Sequence, residues 1–345
     1  MVVNPAIIAL LFAALLGTAA LLACTPFAVR VLRHWDLSSG AERQLELERR
    51  TYLVSTVVAL VLGLELVTLL LFVFNADRMS GLFVGAMCAV GSLNVNAYGF
   101  PALFAKIASF FLAAVWLVMH HVDMRGYDYP LIKPKYALLL VMAPMMALSA
   151  ALQLRYFAGL KADIITSCCG TLFSGTGPEV EADIAALEPR TALIWLVATL
   201  LVAMLAGFHS WWARRGTLLF AGTTALAFAA GLVAIVSAVS VYVYEHPNHH
   251  CPFCLLKAEY GFIGYALYAP LFTATALALG LGVVGRFRQV PSLAGVLPVV
   301  IRRFSLMAVG LLLLTGIVAG QAVLRSNLTI YHDRPWFAWT EELNR

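Results

Sequence analysis

The chain has 345 residues, of which 62% are hydrophobic and only 12% charged, and its net charge is +5. Soluble domains are about 45–50% apolar and about 25% charged, so a water-soluble globule is excluded and lipid must solvate most of the surface. The basic excess lies in short clusters between apolar runs, which marks topology rather than a nucleic-acid surface, and no nucleic-acid partner is expected.

Eight apolar runs are long enough to cross a bilayer, which takes about 20 helical residues. They extend over about Ile7 to Val29 and Leu53 to Phe74, then from Pro101 to Val118 and from Ala137 to Leu154. The second four cover about Ala192 to Trp212, Leu218 to Val243, Tyr260 to Val284 and Leu306 to Leu324. This pattern predicts an all-α, polytopic transmembrane bundle of about eight helices, with residues 1–345 as one integral membrane domain. Met1 to Ile7 carries no Lys or Arg, so the first run is expected to be retained as a helix. Met79 to Val90 is apolar and Gly-rich and is expected to dip into the membrane before Asn94, Asn96, Gly99 and Pro101 break it. No internal repeat, low-complexity tract or heptad pattern stands out. Tyr331, Trp336 and Trp339 in the tail read as interfacial aromatics.

Alternate loops hold most of the basic charge. Arg30, Arg33, Arg43, Arg49 and Arg50 follow the first run, and Arg125, Lys133 and Lys135 the third. Arg214 and Arg215 follow the fifth, and Arg286, Arg288, Arg302 and Arg303 the seventh. The positive-inside rule makes these loops cytoplasmic and predicts both termini outside. The opposite loops, 76–100, 158–190 and 244–260, then carry five of the six cysteines on the outer face. The expected location is a bacterial inner membrane.

The densest signal is His246-Pro247-Asn248-His249-His250-Cys251-Pro252-Phe253-Cys254. Two thiols two residues apart can close a disulfide or clasp a soft metal. A helix starting near Phe253 would stabilise a thiolate at Cys251, and protonated His249 and His250 would add to this. Cys251 is then the expected nucleophile and Cys254 the resolving thiol. The same spacing also suits a structural disulfide. Cys168 and Cys169 are adjacent, in a Gly-rich outer loop, and suit either a redox relay or two ordinary disulfides. Cys88 fits an apolar packing site, yet five outer cysteines leave one odd thiol, so it is also a site candidate. Cys24 is read as packing.

Glu65 is the one acidic residue deep in an apolar run and a candidate for a proton path or a quinone-site hydrogen bond. Lys106, about two turns into the third run, suits either pairing with it or snorkelling to the interface. His120, His121 and His209 lie at inner helix ends and suit interfacial anchoring, with haem ligation a minor alternative. Leu255 follows Cys254, so no Cys-x-x-Cys-His haem attachment motif is present. P-loop, dinucleotide-binding and nucleophile-elbow motifs are also missing.

The Cys251/Cys254 pair and the Cys168/Cys169 pair resemble the two outer cysteine pairs of the DsbB and vitamin K epoxide reductase families. That resemblance implies thiol oxidation linked to a membrane quinone. Those families are bundles of four or five helices, about half this length, and their second pair is not normally vicinal. The vicinal pair is also similar to that of mercury-transport proteins.

Three functions follow. One is thiol–disulfide redox exchange between the outer pairs and a quinone or a periplasmic thioredoxin-like partner. Another is a soft-metal transporter or receptor, with His246, His249, His250, Cys251 and Cys254 as ligands for copper, zinc or mercury. The last is a structural subunit of a membrane complex whose cysteines cross-link loops.

Overall fold

The structure, a computed structural model, describes residues 4–39, 41–161, 165–166, 184 and 187–328. Cys168 and Cys169 lie outside the described residues, as do the tail aromatics Tyr331, Trp336 and Trp339.

Among the described residues, eight helices are long and apolar enough to span a membrane. Asn4 caps the first, α1 (Pro5–His34), by accepting the Ala6 amide, and Pro5 occupies the first turn where its missing N–H is harmless. α2 (Glu42–Met79) has 38 residues, roughly 57 Å at 1.5 Å per residue, about twice the hydrocarbon thickness. About half of its excess length is the charged sequence Glu42 to Arg50, held helical by a Gln44–Glu48 hydrogen bond and a Glu46–Arg50 ion pair, both at i,i+4. That amphiphilic start is why the helix begins eleven residues before the apolar run.

Past α2, a short 3₁₀ turn and the five-residue α3 (Ala89–Leu93) fold back into the bundle, and every residue of α3 is buried. The stretch expected to dip, Met79 to Val90, is a 3₁₀ turn and a loop in which Ser80, Phe83 and Cys88 are buried, while Leu82, Val84 and Met87 are 52%, 63% and 70% exposed. α4 (Gly99–Asp123) and α5 (Ile132–Ala158) complete the first half. The second half comprises α6 (Pro189–Ala213), α7 (Thr217–Ala234), α9 (Ile263–Val284) and α10 (Val296–Arg325). A π-helical segment, Ile235–Val239, joins α7 to the short α8 (Ser240–Tyr244), so the sixth span is α7 and α8 together.

The halves share one connectivity. α1 packs on α2 and α5, α2 on α4, and α4 on α5; likewise α6 packs on α7 and α10, α7 on α9, and α9 on α10. Each half is an up-and-down four-helix ring, and the two meet where α4 packs on α9. Gly280 allows that approach, since a Cβ there would sit 2.7 Å from Val118. Phe111 of α4 stacks on Phe272 of α9 with centroids 5.5 Å apart and an interplanar angle of 11°.

The sequence carries a trace of this pairing. Cys88 and then Tyr98-Gly99-Phe100 lead into the third helix of the first half; Cys251 and then Tyr260-Gly261-Phe262 lead into the third helix of the second. By the alternation of spans, the arginine-rich connections lie at one end of the bundle and the described cysteine loops at the other.

Candidate functional site

Two loops from different halves meet at the thiol end. The first leaves α2 through Phe83 and Gly85 and reaches Cys88, whose extended backbone sets up α3. The second leaves α8 at Glu245 and reaches Cys251 and Cys254. Cys88 Sγ lies 3.3 Å from Cys251 Sγ, and the Cys254 sulfur lies within 4.8 Å of both. A disulfide measures about 2.05 Å, so Cys88 and Cys251 are in thiol contact and not bonded. Among the described residues this is the one group of three or more Cys, His, Asp or Glu side chains whose ligand atoms converge so closely.

The cluster is dry. Cys88 and Cys251 have no solvent exposure and Cys254 only 4%, under a cover that includes Ala86, Phe100, Val236, Tyr244, Phe253 and Tyr260. The thiols were expected in water at the outer surface; the structure instead sets them beneath aromatic side chains. Tyr244 Oη donates to the Cys251 carbonyl, and Tyr268 Oη donates to the Pro252 carbonyl at 2.9 Å. Two phenols thus fix the backbone between the paired thiols, and neither was singled out in the sequence. Their helical positions, one on each side of the motif, were the available signal.

The predicted helix start at Phe253 is not found. Cys254–Leu256 and Ala258–Tyr260 are single 3₁₀ turns, and the long helix begins only at Ile263. Lys257 and Gly261 divide the segment, so no macrodipole points at Cys251. The histidines are also placed differently from the expectation. His250 Nδ1 must carry the proton it gives to the Val236 carbonyl at 3.1 Å, because a carbonyl only accepts. Burial pulls its pKa below the usual 6.5, which keeps it neutral near pH 7 and withholds the expected positive charge. His249 stacks on Tyr244 with centroids 4.0 Å apart, and exposed His246 accepts the Asn248 amide at 3.3 Å. The structure brings three sulfurs together, while His249 and His250 make contacts with Tyr244 and Val236 and His246 stays exposed.

A third chain segment reaches the same loop. The Thr166 amide donates to Val84 O at 3.0 Å and its hydroxyl to Gly91 O at 3.0 Å, in register with a parallel bridge between Val84 and Ile165. Thr166 stands two residues before Cys168. Gly85, at φ +86°, is required here, because a Cβ would fall 2.2 Å from Thr166 O.

Glu65 and Lys106 do pair, at 3.0 Å, with exposures of only 4% and 1%. Thr68 completes the set: its hydroxyl lies 3.0 Å from the second Glu65 oxygen and 3.1 Å from the ammonium. A second buried pair, Asp123 with Lys135, closes the α4–α5 turn, and Asp123 also accepts the Leu131 amide. Lys135 was counted among the loop charges; the structure shows it neutralised inside the bundle. Cys24 packs in the α1–α5 core, His120 stacks on Trp116, and His121 lies against Phe304. No protein-family model, curated protein or solved structure matches the chain.

Proposed function

We propose that the protein is a membrane thiol–disulfide redox protein whose exchange centre is Cys88, Cys251 and Cys254. The observation that carries this reading is the 3.3 Å contact between Cys88 and Cys251, with Cys254 alongside. Exchange needs an attacking sulfur next to one atom of an existing or forming S–S bond. Oxidation of the Cys251/Cys254 dithiol gives a disulfide and sends two electrons and two protons to a membrane quinone, which becomes the quinol. Attack by Cys88 thiolate on Cys251 then forms a Cys88–Cys251 bond and releases Cys254 as the thiolate. Attack by one thiolate of the Cys168/Cys169 pair on Cys88 releases Cys251 as the thiolate, the second thiol of the pair then displaces Cys88 to leave Cys168 and Cys169 as the disulfide, and exchange with the dithiol of a periplasmic thioredoxin-like partner leaves the partner oxidised and the pair reduced. The Thr166 anchor, two residues from Cys168, supports that route. Glu65, with Lys106 and Thr68, is assigned to hydrogen-bond the quinone, since ionised groups inside a bilayer are costly and are retained for function. The location in this reading is a bacterial inner membrane, and the arginine-rich loops at the other end support an outward-facing thiol end.

Acid quenching and alkylation of intact cells test the reading. Cys251 and Cys254 should be recovered as a mixed population that shifts with the redox state of the medium. Permanent oxidation in every growth condition contradicts it.

Soft-metal binding is the second reading, supported by the convergence of three sulfurs. Two thiolates on one tetrahedral zinc, each at about 2.3 Å, stand about 3.8 Å apart, so the 3.3 Å contact would have to open for zinc and close for a disulfide. A stoichiometric ion in protein purified without chelator, lost on Cys251→Ser, would favour metal over exchange.

A further inference from the structure

We propose that the arginine-rich end of the bundle holds a binding site for the phosphodiester of an anionic phospholipid, between the end of α4 and the start of α10. A cavity of about 360 Å³ opens there, lined by His121 and Arg125 on one side and by Val296, Val299, Arg303 and Phe304 on the other. Its composition divides in two. Arg125 and Arg303 supply exposed guanidiniums, while the valines and Phe304 supply an apolar wall.

No carboxylate lines the cavity, and neither arginine joins an ion pair among the described residues. Arg125 spends one N–H on the His121 carbonyl at 2.8 Å, which fixes its stem and leaves the rest of its donor fork available. Two guanidiniums with no acidic partner match a phosphate, whose oxygens accept such forks bidentately.

The apolar wall selects the source of that phosphate. Val299 is 49% exposed, and about two turns further along α10 Leu306 and Met307 are 57% and 54% exposed. In a bilayer these residues face acyl chains. A headgroup at the arginines would therefore have its tails on a surface already suited to them, whereas inorganic phosphate would gain nothing from the valines. Basic pockets at the ends of transmembrane helices attract anionic headgroups at about 1 kcal/mol per Lys or Arg. Arg302, the neighbour of Arg303, provides an internal control: its guanidinium lies over the Trp211 ring, 5.4 Å from the centroid, outside the cavity.

The test uses the full chain in detergent, titrated with phosphatidylglycerol, cardiolipin, phosphatidylcholine or inorganic phosphate and read by native mass spectrometry. Phosphatidylglycerol and cardiolipin should remain as adducts where phosphatidylcholine does not. Arg125→Gln with Arg303→Gln should weaken their retention by roughly 30-fold, the product of about fivefold per guanidinium. Arg302→Gln should leave it unchanged. Equal retention of phosphatidylcholine, displacement by millimolar inorganic phosphate, or an equal loss in Arg302→Gln would overturn the proposal. Far-ultraviolet circular dichroism separates a folded variant that has lost the lipid from one that has not folded.

Discussion

Gly85 keeps the Cys88 loop against the segment that leads to Cys168, and its role is steric. Alanine at φ +86° with a carbonyl 2.2 Å from its Cβ must move the loop or the Thr166 segment. Gly85→Ala should cost about 1–3 kcal/mol and speed alkylation of Cys88, measured by thermal melting and by maleimide kinetics in detergent; unchanged values for both would contradict the assigned contact. The buried pair gives a second prediction. Lys106→Met leaves Glu65 without its cation and should destabilise by about 3–5 kcal/mol, whereas Lys106→Met with Glu65→Gln should recover much of that loss. A double variant no more stable than the single one would show that the ion pair is not the operative interaction. Some of these residues were legible from sequence. A carboxylate in an apolar run demands a partner, and Lys106 was one candidate for it, although snorkelling would have suited that side chain as well. The Cys88–Cys251 contact was not legible, because 163 residues separate them and no local pattern encodes a contact between two loops.

The sixth span changes register just below the thiols. In Ile235–Val239 the backbone is π-helical, and the Val236 carbonyl takes donors from both Ser240 Oγ, at 2.8 Å, and His250 Nδ1. Such a bulge turns a helix face and is common near functional sites; here it ties the loop of Cys251 to the helix below. Because burial lowers the folded-state pKa of His250, the unfolded loop binds more protons than the folded one as pH drops below 6.5. The stabilisation is complete above that pH and is lost on acidification. Hydrogen exchange of residues 245–250 should accelerate as pH falls below 6.5, after correction for intrinsic rates, and His250→Gln should flatten the dependence. A wild-type profile identical to the variant's would refute the coupling. Helix positions were legible because hydrophobic runs and bilayer thickness determine them. The polar start of α2 was missed because Glu42 to Arg50 is held by i,i+4 pairs and not by lipid. The 3₁₀ turns after Cys254 were missed because Leu255 and Leu256 read equally well as helix.

Two four-helix rings joined along α4 and α9 explain why a chain of this length focuses its described thiol loops on one spot. Each loop precedes the third helix of its ring, and those two helices form the seam. The seam is therefore a lever on the thiol contact. Gly280→Leu should overpack it by about 1–3 kcal/mol and lower the rate of Cys88–Cys251 bond formation, followed by gel shift after mild oxidation; an unaltered rate would separate the seam from the site. The shared connectivity escaped sequence reading because lipid-facing residues are interchangeable, so Ile, Leu, Val and Phe in one half need not match those at the corresponding positions of the other. Only the Cys and Tyr-Gly-Phe positions, fixed by turn and packing geometry, remain to mark it. The most direct measurement is peptide mapping of disulfides after mild oxidation of membranes that carry Cys254→Ser, Cys168→Ser and Cys169→Ser. The account predicts a Cys88–Cys251 cross-link as the main product, and recovery of both residues as unlinked thiols would contradict it.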